Sequence, residues 1–411
     1  MAFPTLKKPQ RTAFIPSAAG ELSPGWLTSV LRDEGLLPPS GEVVGMTLGT
    51  PGGGTGMSGE VARVTLQYAG DQGDAPDSVI AKFPTADRTN RGMIESQGAY
   101  EREIHFYRSF VADLPVRAPA HFGSAMDSGP PRAIAAQVNR GIEKLPAKSH
   151  VAMTRDVTKF LKPSKRRYAL LIEDLGDDRT VHDLTAPPSR DQLAAALTEL
   201  AKVHAHFWGD PRLKGHPSFW PLVTEIPLLQ RNVYQAEALD DALAHYGIDD
   251  EATRALCNEA GVRYPSDVAR VNRPMTLVHG DARSDNLLYG PDGDVAIVDW
   301  AMTGFADPGY DVGYLIAASI DPATGADDAR ALAEHYHQAL TAAHVSYELD
   351  EIWQSVEAVA RCMVVQQTLS LRYLQGGYDE AEDGPEAEDI VPMADLWLPR
   401  ALAVLGAESS G

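Results

Sequence analysis

Cysteine is nearly absent from this 411-residue chain, where Cys257 and Cys362 are the only two. Two thiols build neither a disulfide framework nor a four-thiolate zinc site, so both read as small buried apolar residues. No run of 18 apolar residues occurs, which excludes a membrane-spanning helix. The first 20 residues carry Lys7, Lys8 and Arg11 with no apolar stretch behind them, so no secretory signal and a cytoplasmic location are expected. Basic residues are scarce: 36 Lys and Arg stand against 57 Asp and Glu, a formal charge of −21. That balance argues against a nucleic-acid binder, which clusters cations against phosphates. It keeps the chain soluble and favours cationic ligands by long-range attraction. What is present is a globular composition, 44% hydrophobic, with length for two or three compact units.

Residues 1–20 are polar and Pro-punctuated and read as an arm. Leu22, Trp26, Val30 and Leu31 have helical spacing, ending before Pro38 and Pro39. The period then changes: Glu42 to Leu48 and Val61 to Tyr68 read as two strands of a hairpin joined by a Gly-rich segment, with Val79 to Phe83 as a third strand. Tyr100, Ile104, Tyr107 and Val111 predict one buried face of a helix over 95–112. Tyr168 to Ile172 is strand-like, and after Gly176 helical periodicity dominates. Ser189-Arg190-Asp191-Gln192 fits a capping box before a helix that lines up Leu193, Leu197, Leu200, His204 and Phe207. The expected division is an arm and helix over 1–40, a nucleotide-binding part over 41–173 and a catalytic, acceptor-binding part over 174–411. Asp379 to Asp389 is strongly acidic and reads as a solvated loop.

Gly54-Thr55-Gly56-Met57-Ser58-Gly59 satisfies GxGxxG. A dinucleotide fingerprint needs a helix after it, whereas Glu60 to Tyr68 alternates as a strand, so a phosphate-covering hairpin loop is the better reading and a merely flexible turn its alternative. No GK[ST] follows, which excludes a Walker loop. Extended to Val61, the pattern is the glycine-rich loop signature of protein kinases. Lys82 is a cation inside the apolar strand Val79-Ile80-Ala81-Lys82-Phe83, where burial without a partner costs several kcal/mol, so it calls for an anion. Glu103, on the buried side of the next helix, can supply one and phosphates another; Glu101 points elsewhere.

The most informative segment is Leu277-Val278-His279-Gly280-Asp281-Ala282-Arg283-Ser284-Asp285-Asn286-Leu287-Leu288, followed after a turn by Val295-Ala296-Ile297-Val298-Asp299-Trp300. A carboxylate and an amide five apart stand between two apolar strands, and a second carboxylate ends the returning strand. Phosphoryl transfer needs such a set: a carboxylate to accept the proton of an attacking hydroxyl, and hard oxygen ligands for Mg²⁺. His279 has no imidazole or thiolate neighbours at zinc-ligand spacing.

His279-Gly280-Asp281-x-x-x-x-Asn286 followed by Asp299 resembles the Brenner-type motif of the aminoglycoside phosphotransferase and choline kinase-like superfamily, small-molecule relatives of protein kinases. The resemblance covers residues 40 to 375. Leu200 to Trp208 is similar to that superfamily's helix ahead of the catalytic loop, and Tyr168 to Gly176 to its hinge. The long N-terminal extension and the His-Gly-Asp-Ala-Arg segment are similar to the ecdysteroid kinase-like branch.

The resemblance implies an α+β, two-lobed protein kinase-like fold, with an antiparallel N-terminal sheet, a mainly helical C-terminal lobe, and ATP and Mg²⁺ used to phosphorylate a small-molecule hydroxyl. It makes Asp281 the catalytic base, Asn286 and Asp299 the metal ligands, Lys82 the phosphate-binding lysine and Glu103 its partner. Gly54, Thr55, Gly56, Met57, Ser58 and Gly59 would cover the phosphates, and backbone near Glu173 and Leu175 would hold the adenine. His279 and Asp311 would brace the loop, with Asp307-Pro308-x-x-Asp311 as the tail of the metal motif, and Arg283 would lie near substrate or phosphate.

Trp300-Ala301 replaces the Phe-Gly of a protein-kinase metal loop and no Ala-Pro-Glu follows, so a protein substrate is not expected. The acceptor stays open: an amino sugar, an aminoglycoside or a similar alcohol, with the acidic balance favouring a cationic one. Trp208, Trp220, Tyr373 and Trp397 are either its wall or core. A catalytically silent nucleotide-binding scaffold is the alternative.

Overall fold

A computed structural model describes residues 14–51, 59–128, 139–154, 163–216, 226–378 and 393–407, with the side chains of Thr89 and of 371–378 excepted. The glycine-rich segment from Gly54 to Ser58, the acidic stretch 379–389 and Trp220 lie outside the described residues. The chain divides into two compact units, the first drawn from 1–114, 118–131 and 158–179, the second from 115–117, 132–157 and 180–411.

The first unit is a five-stranded antiparallel sheet: β1 (Glu42–Gly49), β2 (Gly59–Ala69), β3 (Ser78–Pro84), β4 (His121–Met126) and β5 (Tyr168–Glu173), in the order β1-β2-β3-β5-β4. In β3 alternate residues Val79, Ala81 and Phe83 are buried, which the two-residue period of a strand sends to one face. That face joins Val64, Leu66, Ala169 and Leu171 in a core shared with α1 (Pro24–Asp33) through Trp26, Leu27, Val30 and Leu31. Ser23 caps α1 by accepting from the Trp26 amide at 3.3 Å. Residues 24–33 thus form the helix expected within 1–40, and its buried side packs into the sheet's core.

Where one helix was expected over 95–112 there are two, α2 (Arg88–Gln97) and α3 (Ala99–Ser109). Gly98 separates them with φ of +69°, the left-handed conformation that closes a helix and that a Cβ disfavours. Ile104 and Tyr107 are buried as the periodicity required, but Val111 falls in a 3₁₀ turn beyond the end of α3.

The second unit is mainly helical. Its strands form two small antiparallel sheets: β7 (Thr276–Val278) with β10 (Gly304–Ala306), and β8 (Leu287–Tyr289) between β6 (Thr180–Val181) and β9 (Val295–Ile297). The pairing of Thr180 with Tyr289 explains why the division falls after 179 rather than at 173. Residues 147–154 join this unit as α4 (Ala147–Thr154), packed on α6 (Pro227–Val233). Between them in the chain lies α5 (Arg190–His206), whose capping box is complete: Gln192 N–H donates to Ser189 Oγ at 3.4 Å and Ser189 N–H to Gln192 Oε1 at 3.0 Å.

A π-helical turn over Tyr234–Ala238 leads from α6 to α7 (Leu239–His245), and α8 (Glu251–Val271) follows. Beyond the small sheets come α9 (Gly309–Ser319), α10 (Gly325–Ala342), α11 (Leu349–Tyr378) and α12 (Met393–Val404). Helix α11 packs on α8, α9 and α12, and the buried pair Arg361–Asp267 (2.7 Å) ties α11 to α8. Cys257 and Cys362 are both buried, as their scarcity suggested. No helix among the described residues is long and apolar enough to cross a membrane.

Candidate functional site

In the first unit, Lys82 occupies a register position opposite Val61 of β2 and Leu170 of β5. It alternates with the core residues Ala81 and Phe83, so its side chain leaves the sheet on the face away from the core. There Nζ meets Glu103 Oε1 of α3 at 2.5 Å, with the two side chains 16% and 6% exposed. So enclosed a pair would be costly to break from either side. Glu101, one residue along the chain from Arg102, turns instead to Arg166.

Gly59, the last residue of the glycine motif and its only described member, opens β2 opposite Pro84. A Cβ there would stand 2.3 Å from the Phe83 carbonyl oxygen, so glycine is required by this close approach of two backbones whatever the preceding loop binds. Glu173 ends β5 and its carboxylate accepts the Ala120 amide at 3.0 Å; Leu175 follows in the connection toward Gly176.

In the second unit the loop from His279 to Asn286 is fastened from below by α9. Asp311 accepts the backbone N–H groups of His279 (2.6 Å) and Gly280 (2.8 Å) on its two carboxylate oxygens. His204 Nε2 of α5 donates to the same carboxylate at 3.1 Å, and the His204 ring's other nitrogen faces Tyr336 at 2.7 Å. Burial pushes the Asp311 carboxyl up, but His204, His279 and the loop amides outweigh it and hold it below its usual range. His279 is fully buried, its Nε2 donating to Val298 C=O at 2.9 Å and its Nδ1 accepting the Asp281 N–H at 3.2 Å. Both ring nitrogens are thus used in holding backbone, and the tautomer is set.

Three residues surround the loop's Asp281. Asn286 Nδ2 donates to its carbonyl (2.9 Å) and to its Oδ2 (3.2 Å), Tyr314 donates its hydroxyl to Oδ1 at 3.0 Å, and Arg283 Nε lies 3.5 Å from Oδ2. Arg283 also pairs with Asp285 at 3.0 Å. Burial would lower the guanidinium's pKa, yet Asp281 and Asp285 outweigh it and raise it; burial raises the Asp285 carboxyl against the pull of Arg283. Arg283 is therefore engaged by two carboxylates of its own loop.

The pairing of Leu287 with Ile297 and the bond from Val298 N–H to Asn286 C=O (3.0 Å) set Asn286 and Asp299 at the same end of the β8–β9 ladder. Asp299 stands at φ 59°, ψ 68°, a left-handed conformation that costs a non-glycine residue about 1 kcal/mol or more and that often marks functional turns. Because Asn286 donates both contacts to Asp281 from nitrogen, its amide oxygen is the atom left for a cation. Among the described residues no group of three His, Cys, Asp or Glu side chains gathers into a metal cage. One amide oxygen and one carboxylate, both hard donors, nevertheless suit Mg²⁺, which keeps several waters and takes only one or two protein carboxylates.

Sequence reasoning missed Asp285 and Tyr314. Tyr314 follows Asp311 by three positions on α9, so helical spacing from a residue already singled out was the available signal.

This second-unit site is a braced loop presenting a carboxylate, an amide and a second carboxylate from strand ends, the equipment of a phosphoryl-transfer protein. The chain matches the Phosphotransferase enzyme family over residues 88–348 and belongs to it. It is also similar to solved structures: a GDP complex of an aminoglycoside 2'-phosphotransferase-IIIa point mutant (14% identity, 94% of this chain and 100% of that one, TM-score 0.48); a choline kinase from Streptococcus pneumoniae (13%, 89% and 94%, 0.44); and a choline/ethanolamine kinase family protein from Mesorhizobium loti (16%, 92% and 95%, 0.40). No curated protein sequence matches the chain.

Proposed function

We propose that the protein transfers the γ-phosphate of ATP to a hydroxyl of a small molecule, an amino sugar, an aminoglycoside or a similar alcohol. Asp281 orients the acceptor hydroxyl and takes its proton as the oxygen attacks the γ-phosphorus. The new O–P bond forms as the bond from that phosphorus to the β–γ bridging oxygen breaks, and ADP leaves with that electron pair. Asn286 and Asp299 hold the magnesium ion, which when bound offsets negative charge on the phosphates. Lys82, kept in place by Glu103, binds phosphate oxygens. Gly54 to Gly59 cover the phosphates, and backbone near Glu173 and Leu175 holds the adenine.

The observation that carries the reading is the fastening of Asp281 on both carboxylate oxygens, on a loop clamped by Asp311, in a chain of the phosphotransferase family. Catalysis of this kind is mostly placement, and the loop is built for placement.

The net charge of −21 supports a cationic acceptor. The test is ATP consumption with Mg²⁺ over a panel of aminoglycosides, amino sugars, choline-like alcohols and steroid alcohols. Asp281→Ala serves as the blank. Acceptor-dependent ADP release lost in the blank is the expected result. Release equal in parent and blank, or ATP bound and never turned over with any acceptor, overturns the reading.

A further inference from the structure

We propose that Tyr314 is a positioning residue for Asp281, its hydroxyl holding Oδ1 so that the carboxylate keeps one rotamer instead of closing onto Arg283. The inference rests on the proposed function for its kinetic consequence, but its geometry stands separately. Asp281 lies on a loop, where a carboxylate rotates freely unless both oxygens are engaged. Asn286 engages Oδ2 and Tyr314 engages Oδ1. Without the second bond, the nearest competing partner is Arg283, whose Nε already stands 3.5 Å from Oδ2. A carboxylate drawn into a full guanidinium pair presents its lone pairs to the cation and not to an incoming hydroxyl.

Tyr314 is equipped for this task by its surroundings. It lies on α9 one turn beyond Asp311, so a single helix face grips the loop twice, by backbone at His279 and Gly280 and by side chain at Asp281. The ring is stacked on Tyr310 (5.7 Å between centroids, 16° between planes) and meets the edge of Trp397 at 5.7 Å. Tyr310 and Trp397 are themselves buried. Two aromatic contacts leave the phenol little freedom to turn away. Burial, then the charge of Asp281, push its pKa far above the ordinary phenol value, so the hydroxyl remains a proton donor across the working pH range.

The test compares the full-length parent, Tyr314→Phe, Asp281→Ala and the double variant. The expected result for Tyr314→Phe is a fall in turnover of about 10-fold, the loss of one bond to a charged acceptor, with the KM for ATP changed less than about 2-fold. Asp281→Ala is itself inactive, so the double variant is compared with it by melting temperature, where Tyr314→Phe costs less than in the parent because its bond to that carboxylate is already gone. A second readout needs no catalysis: in protein with labelled tyrosine, the Tyr314 hydroxyl proton gives a downfield, slowly exchanging NMR resonance that disappears in Tyr314→Phe and in Asp281→Ala. Unchanged turnover in Tyr314→Phe beside an inactive Asp281→Ala overturns the inference and leaves the proposed function standing. Survival of the resonance in Asp281→Ala overturns it too. Parental turnover in Asp281→Ala instead defeats the proposed function, and the resonance then decides the placement of Tyr314 alone.

Discussion

His204 and Asp311, 107 residues apart in the chain, meet at 3.1 Å with neither side chain exposed. One carboxylate thereby joins α5, α9 and the loop that carries Asp281. Its folded-state pKa is depressed, so its contribution to stability is complete above the unfolded carboxyl range, near pH 4, and is lost as pH falls through the folded value. Asp311→Asn should melt well below the parent at pH 7, and the gap should narrow in acid as the parent's own carboxylate takes up a proton. A gap that stays constant from pH 7 to pH 3 would show that the charge is not what matters.

The Lys82–Glu103 pair predicts an asymmetric cycle. Removing one partner strands a largely enclosed charge, so Glu103→Leu or Lys82→Met alone should cost about 3 kcal/mol, whereas the double substitution should recover much of that loss. Urea unfolding of the four proteins measures it, and simple additivity would contradict the pairing.

Gly98 predicts a backbone effect. With φ at +69° between α2 and α3, Gly98→Ala should lower stability by about 1 kcal/mol while leaving helix content unchanged by circular dichroism. A neutral or stabilising outcome would mean that the two helices run together when a better helix former is supplied.

The two thiols predict a silent surface. Cys257 and Cys362 are 3% and 2% exposed, and burial pushes the Cys257 thiol up to about 11. A thiol-specific disulfide reagent at pH 8 should label neither in the native protein and both after unfolding. Rapid native labelling of either would contradict the packing of α8 and α11.

Much of the fold was legible because its signals are local. The two-residue alternation of β2 and β3, the apolar run of β5 and the capping box of α5 each need only a few neighbours to be expressed. The break at Gly98 was hidden because apolar spacing continues across it, and a helical period says nothing about a residue that can turn left-handed. Strand β4 carried too weak an alternation to be seen, and its pairing with β5 joins residues more than 40 apart. The expected division at 173 missed by a few residues because two short residues of strand, Thr180 and Val181, are claimed by β8.

The sequence by itself determined the chemical inventory: a lysine in an apolar strand, and His279, Asp281, Asn286 and Asp299 at strand ends with spacing that phosphoryl transfer requires. Side-chain type and short-range order suffice for that, since covalent connection fixes which groups share a loop. Only the tertiary structure decided what each group touches. It engaged Arg283 with two carboxylates of its own loop, set the Asp311 carboxylate under the backbone of His279 and Gly280, and brought Tyr314 to Asp281 from a helix more than 30 residues on. Those choices follow from burial and from the directions in which packed helices aim their side chains, which no local pattern records.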